Sequence, residues 1–236
     1  MLRIPQPVAR WRANKLPVVQ SVPDGGPPPA TAGETTEDER LMIAAQRGDL
    51  SAFNDLVSRH ERAVYSVCLR LLRDPGLAED AGQDTFIRAW NAIDTFRGGL
   101  VRPWLLRIAT NRAYDMLRAK ARRPAQSLDA ELYEIEPEWT SQVSIADHPE
   151  AFASRSELSV LLERTLGQLP DDQRLAIILS DVQGYGYEEI AQITGVAIGT
   201  VKSRISRGRS RLRDLLNAND ASRELLGRYT RFSSDE

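Results

Sequence analysis

Residues 195–216, "GVAIGTVKSRISRGRSRLRDLL", decide how the rest of the chain is read. Between Ile198 and Arg213 this stretch holds six bases and no acid, in a chain of formal net charge −2. Wound as a helix at ~100° per residue, it places Ile198, Val201, Ile205, Leu212 and Leu216 on one apolar stripe, expected against a core. The other side carries Ser203, Ser206 and Ser210, bordered by Thr200, Lys202, Arg207 and Arg209. Short hydroxyls permit close approach and bases neutralise charge, so this face suits a phosphate backbone better than an apolar partner. A shorter helix and a turn precede it. In "YEEIAQITG", residues 187–195, Ile190, Ala191 and Ile193 are apolar and Gly195 permits the turn, with Val196 and Ile198 expected to lock the two helices together. Helix, short turn and cationic helix, in that order, make a helix-turn-helix, whose second helix enters the major groove.

The chain has 236 residues, enough for two small domains, and its hydrophobic content of 42% permits a buried core. Val, Ile and Thr do not alternate in runs, and the long segments repeat at helical spacing, which predicts an all-α protein. Cys68 is the single cysteine, and the two histidines, His60 and His148, stand far apart. An internal disulfide is excluded, no zinc site is expected, and no cofactor is implied. No apolar run reaches the ~18 residues of a membrane span. The N-terminal stretch has bases without a continuous apolar segment, so no secretory signal is expected and a cytoplasmic protein fits.

Charge divides the chain further. Residues 102–123 carry seven bases against Asp115, and residues 125–157 carry eight acids against Arg155. Two positive blocks on either side of an acidic segment point to two contacts with a polyanion. Residues 1–36 include "VPDGGPPPATAGET" and are expected to be a disordered extension. Helix is predicted from Thr36, read as an N-cap with Glu39 three residues on, through a break at Gly48-Asp49 to Asp74-Pro75-Gly76. A third helix runs from Leu77 to about Ile93, and a fourth has Pro103 in its first turn and ends near Arg122. The segment 125–157, broken by Pro137 and Pro149, is expected to be a flexible linker. From Ser156 come "SELSVLLERTLGQL", then "PDDQRLAIILSDVQG" opening at Pro170, and then the helix-turn-helix.

In the third helix Gly82, Phe86, Ala89, Trp90 and Ile93 share an apolar side, and Asp80, Gln83, Asp84, Ile87, Arg88 and Asn91 the other. An exposed Ile87 among charges favours an interface, whose centre needs an apolar contact. In the fourth helix Leu105, Leu106, Ile108, Ala109, Ala113, Met116 and Leu117 form a broad apolar arc, leaving Arg107, Asn111, Tyr114, Asp115 and Arg118 as a polar stripe. Asn offers a donor and an acceptor to a base edge, and flanking Arg holds phosphates.

With these motifs in view, the chain resembles the extracytoplasmic-function sigma factors, the two-domain members of the sigma-70 class. "LPDDQRLAIILSDVQGYGYEEIAQITGVAIGTVKSRISRGRSRL" is similar to the family's fourth conserved region, and "LAEDAGQDTFIRAW" with "FRGGLVRPWLLRIATNRAYDMLR" to its second. The resemblance implies region 2 over residues 37–124, region 4 over 158–216, and a tail, 217–236, without a counterpart. It implies partners: core RNA polymerase (clamp helices of the largest subunit, flap of the second largest), promoter DNA and an anti-sigma factor, in a stress response. On this resemblance Asp80, Gln83, Asp84, Ile87, Arg88 and Asn91 dock on the clamp helices. Arg107, Asn111, Tyr114, Asp115 and Arg118 face the minus-10 element, and the loop 96–102, with Phe96 and Arg97, receives a base drawn from the duplex, which costs a few kcal/mol. Lys202, Ser203, Ser206 and Arg207 match the family's minus-35 base-reading positions, with Thr200 beside them and Arg209, Arg211 and Arg213 gripping phosphate. The acidic linker would thread toward the polymerase cleft. Gly186 departs from the family's Ser or Thr cap, and Gly99 and Pro103 alter the loop before the fourth helix.

Three other readings fit less of the chain. A free-standing helix-turn-helix repressor or activator leaves the first domain unexplained. A nucleic-acid enzyme needs a metal-carboxylate cluster or an activated nucleophile, and neither spacing occurs. An anti-sigma-like adaptor does not need an intact basic helix.

Overall fold

A computed structural model describes residues 32–122, 149–218 and 222–224, with side chains from 37 in the first stretch and from 157 in the second. Among these residues there is no β-strand, in accord with the all-α expectation, and they divide into two compact units. Most of the expected N-terminal extension, the linker up to 148 and most of the tail after 217 lie outside the described residues.

The first unit is built from α1 (Ala32–Gln46), α2 (Leu50–Leu72), α3 (Pro75–Asn91), a 3₁₀ turn (Ile93–Thr95) and α4 (Val101–Ala121). Helix α1 starts four residues before Thr36, so Thr36 is a helical residue and not a cap. An interior Thr costs only about 0.7 kcal/mol or less relative to Ala, too little to set a boundary. The break at 48–49 falls as expected: the Asp49 carboxylate accepts from the backbone N–H groups of Ser51 and Ala52, at 2.9 and 3.1 Å, and so caps α2. Asp74-Pro75 opens α3 as well as following α2. Asp74 accepts from the Leu77 N–H at 3.0 Å and Pro75 takes the first helical position, where no N–H is needed. The same tolerance admits Pro103 in the first turn of α4.

Helix α2 packs against α1, α3 and α4. Its last turns, with Val67, Cys68, Leu69, Leu71 and Leu72, are therefore buried on every side. Each such valine or leucine contributes about 1.5–3 kcal/mol through removal from water. Phe53 and Trp90 join α2 to α3 with ring centroids 5.0 Å apart. The Asp38 carboxylate ties α1 to α2, lying 2.8 Å from His60 Nε2 and accepting from Arg59 Nε at 2.7 Å. Burial pushes the Asp38 carboxyl pKa up, but the hydrogen bonds and charges of His60 and Arg59 together outweigh it and hold the carboxyl below its ordinary value.

Burial also pushes the Cys68 thiol up to about 12, so almost no thiolate exists near neutral pH. The native protein is expected to resist a maleimide at pH 8 for hours and to react within minutes once denatured. Rapid labelling of the folded chain in a mass-shift assay would contradict this.

The second unit contains α5 (Pro149–Leu166), α6 (Asp171–Ile177) running into a π turn (Ile178–Val182), α7 (Tyr187–Thr194) and α8 (Ile198–Asn217). The end of the expected linker, 149–157, is helical. Pro149 stands at the first position of α5, where proline is favoured, and not at a break. Pro170 lies one position before α6. Leu169, Leu175, Ile178, Leu179 and Ile205 are fully buried. Among them sits Arg174, which is also buried. Its guanidinium donates to the carbonyls of Leu166 (3.2 Å), Gly167 (3.3 Å) and Leu169 (2.9 Å), and pairs with Asp171 at 3.1 Å. Those carbonyls end α5 and leave it, so one side chain satisfies acceptors that the helix cannot.

Candidate nucleic-acid and polymerase interfaces

Gly195, at φ 70 and ψ 24, ends α7 in the left-handed conformation that the turn requires. At the other end of α7 the Gly186 N–H donates to Glu189 Oε2 at 2.9 Å. Half of a capping box therefore survives without a hydroxyl at Gly186. Helix α8 packs chiefly on α6 and also on α5. Its inward line runs through Val201, Ile205 and Gly208, with Leu212 and Leu216 half-buried. Ile198 is 39% exposed and does not lock the helix pair, a correction to the apolar stripe drawn from spacing alone. With α8 seated mainly on α6, its first two residues, Ile198 and Gly199, are left exposed.

Opposite that line, Lys202, Ser206, Arg207, Ser210, Arg211 and Arg213 are exposed, and Thr200 and Ser203 are half-buried. The Arg207 guanidinium donates to the Ser203 carbonyl and Oγ, at 3.2 and 3.1 Å, while Ser203 Oγ donates to the Thr200 carbonyl. Thr200, Ser203 and Arg207 thus form one linked ridge. Lys202 Nζ stands 5.5 Å from the centre of the Tyr187 ring, a cation–π distance. Two bases turn toward α6 and its π turn instead. Arg204 Nε pairs with Asp172 at 3.1 Å. Arg209 donates from Nη2 to Asp181 Oδ1 at 2.6 Å and from Nε to Asp181 Oδ2 at 3.1 Å. The Asp181 hydrogen bond, against the opposing effect of partial burial, raises the Arg209 pKa further.

In the first unit the expected docking face is continuous along α3. Asp80, Ile87, Arg88 and Asn91 are exposed, Ile87 by 42%, and Gln83 and Asp84 are half-buried. Asp84 is engaged within the unit, its Oδ2 lying 2.7 Å from Arg112 Nε of α4. On α4, Arg107, Asn111 and Arg118 are exposed and Tyr114 and Asp115 half-buried. Asp115 pairs with Arg118 at 2.6 Å and approaches Arg88 at 3.9 Å, so one carboxylate offsets part of the positive charge of the two arginines.

The loop before α4 is held from behind. Gln46 Nε2 donates to the carbonyls of Ile93 and Phe96, both at 3.0 Å, and Phe96 meets Trp104 edge-on with centroids 5.4 Å apart. Arg97 donates to the Asp94 carbonyl at 2.9 Å. Gly98 and Gly99 follow at φ 101 and 95, a conformation other residues adopt only with strain. Gln46, Trp104, Arg112 and Asp181 were not singled out from the sequence. The one available signal was an acid, Asp181, closing the otherwise apolar run "LAIILSD".

Comparison with known proteins agrees with this architecture. The sigma-70 region 2 family model matches residues 56–123 and the sigma-70 region 4 model residues 159–212. The chain is 40% identical over 178 residues to the ECF RNA polymerase sigma-E factor of Escherichia coli K12, covering 75% of this chain and 92% of the relative. It is 36% identical over 178 residues to the RNA polymerase sigma-H factor of Pseudomonas aeruginosa, covering 73% of this chain and 90% of the relative. Among solved structures it is similar to the sigma factor RpoE of Bartonella quintana in complex with the anti-sigma factor NepR. That match has 31% identity and a TM-score of 0.57, over 72% of this chain and 99% of that one.

Two helical units with a cationic helix-turn-helix in the second are the frame of a transcription initiation factor. The chain belongs to the sigma-70 class of RNA polymerase sigma factors, in its extracytoplasmic-function branch. Sigma factors bind core RNA polymerase and act in transcription initiation. No helix among the described residues is long and apolar enough to cross a membrane.

Proposed function

We propose that residues 37–124 dock on the polymerase clamp and engage the minus-10 element, and that residues 158–216 read the minus-35 element. The observation that carries this reading is the division of α8. Val201, Ile205 and Gly208 are buried, while Lys202, Ser206, Arg207, Arg211 and Arg213 stand outward. Asp80, Gln83, Asp84, Ile87, Arg88 and Asn91 form the docking face. Arg107, Asn111, Tyr114, Asp115 and Arg118 line the minus-10 stripe, with Phe96 and Arg97 in the loop that captures an extruded base. Lys202, Ser203, Ser206 and Arg207 read minus-35 bases, with Thr200 beside them and Arg211 and Arg213 on phosphate. The chain performs no chemistry of its own, because polymerase supplies the active site. It acts in the cytoplasm, the acidic linker threads toward the polymerase cleft, and an anti-sigma factor regulates it, as NepR forms a complex with the Bartonella sigma factor.

The test is in vitro transcription with core polymerase and promoter selection from a randomised minus-35 library. The purified chain alone is expected to bind promoter DNA weakly. Arg207→Ala is expected to cost ~1–3 kcal/mol and relax preference at one minus-35 position. Arg213→Ala is expected to weaken all promoters alike and lower the salt slope by about one. Unchanged selected sequences in both variants would show that α8 grips backbone only. Tight, specific binding by the chain alone would favour a repressor.

A further inference from the structure

We infer that Arg209 is a positioning residue that aims the recognition helix, and that it does not grip DNA phosphate. The inference rests on the minus-35 reading of α8 and assigns one of its bases a different task. Three contacts fix α8 on α6 and the turn that follows. At the centre is Gly208, where an added Cβ would stand 2.9 Å from Ile177 Cγ1, so the two helices meet almost backbone to side chain. Four residues earlier, Arg204 reaches Asp172 near the start of α6. One residue later, Arg209 grips Asp181 with two nitrogens and reaches Ser180 Oγ at 3.4 Å.

A glycine contact permits close approach but offers no side chain to resist rotation or sliding of one helix on the other. The flanking ion pairs supply that restraint, one on each side of the pivot. The pair at Arg209 is the better formed, since a planar guanidinium fork meets both oxygens of one carboxylate. Its carboxylate is presented by the π turn, in which the Gln183 N–H bonds back to the Ile178 carbonyl at 2.9 Å. Nε and Nη2 are both committed to Asp181 and Ser180, which turns the plane of the Arg209 guanidinium toward the turn and leaves Nη1 alone outside these contacts. The six bases of the helix therefore fall into two sets. Arg204 and Arg209, the latter still half in solvent, pair with carboxylates of α6 and the turn after it, whereas Lys202, Arg207, Arg211 and Arg213 are exposed without such a carboxylate pair among the described residues.

Holoenzymes assembled from core polymerase and full-length variants, titrated on one minus-35-dependent promoter across a salt series, separate the two roles. Arg209→Gln and Asp181→Asn are each expected to weaken binding about five- to tenfold with the wild-type salt slope, and the double variant to be no weaker than either single one. The charge swap Arg209→Asp with Asp181→Arg is expected to recover part of the loss. Arg211→Ala, the phosphate control, is expected to lower the slope by about one. The inference is overturned if Arg209→Gln lowers the slope by about one while Asp181→Asn leaves affinity unchanged or tighter. Thermal unfolding of the same chains is followed in parallel. A lower midpoint with unchanged promoter affinity overturns the aiming role and leaves a simple brace. Unchanged binding by Arg211→Ala with coupling intact between Arg209 and Asp181 would instead sink the minus-35 reading, so the two failures are distinguishable.

Discussion

Asp80→Arg combined with Ile87→Glu is expected to weaken association with core polymerase by about 10²–10³-fold, and to leave the thermal midpoint of the chain within a few degrees of wild type. Both side chains are exposed on α3, and Ile87 is the apolar group at the middle of a charged face. Interface centres of that kind carry a disproportionate share of binding energy, about 2 kcal/mol or more for a single truncation. The added base at residue 80 brings like-charge repulsion if the partner surface is complementary to the native acid. Neither change removes a contact described within the unit. Asp84 is the tempting alternative target but a poor one. Its partner Arg112 lies 2.7 Å away, so an arginine there would set two cations together between α3 and α4 and confuse docking with stability. Co-purification with core polymerase and circular dichroism check the result. Unaltered association would move the docking surface off α3.

Gly208→Val is expected to destabilise the second unit by about 2–3 kcal/mol, the upper part of the range for overpacking a filled core. The first added carbon would meet Ile177 Cγ1 at 2.9 Å, Ile177 Cδ1 at 3.2 Å and the Gln173 carbonyl at 3.4 Å, and valine adds two methyls beyond it. For a unit of this size each kcal/mol moves the midpoint by roughly 4–8 °C, so the transition should fall by about 10–20 °C. Gly199 lies in the same helix, and a Cβ added there would meet nothing within 4 Å. Gly199→Ala is therefore expected to stabilise by about 0.5–1 kcal/mol through helix propensity alone. Opposite signs for two glycines nine residues apart would isolate packing from propensity. Equal effects in a calorimetric scan would mean that α8 does not approach α6 so closely.

The helical character of the chain, its two positive blocks and the turn at Gly195 were legible in the residue order, because each depends on neighbours within a few positions. Apolar spacing sorted α3 and α4 into covered and uncovered sides, and the structure leaves Asp80, Ile87 and Asn111 exposed where spacing turned them outward. Cap chemistry was equally local, which is why Asp49 breaks the first two helices where the sequence places the break. Helix starts were less legible. Pro149 and the Asp74-Pro75 pair read as interruptions, yet proline opens a helix as readily as it closes one.

Spacing along one helix carries no information about which other helix it meets. A wheel projection therefore put Ile198 inward, whereas the seat of α8 on α6 begins its buried line at Val201. The same blindness hid Gly208, whose role exists only because Ile177 lies opposite it. It also hid the destination of each charge. Six bases on one helix look alike in sequence, and Arg209 differs from Arg211 only because Asp181, twenty-eight residues earlier, is brought within 2.6 Å of it. Local order set the elements and the sign of their surfaces. Packing between α6 and α8 decided which of those charges remain turned outward and which hold the helix in place.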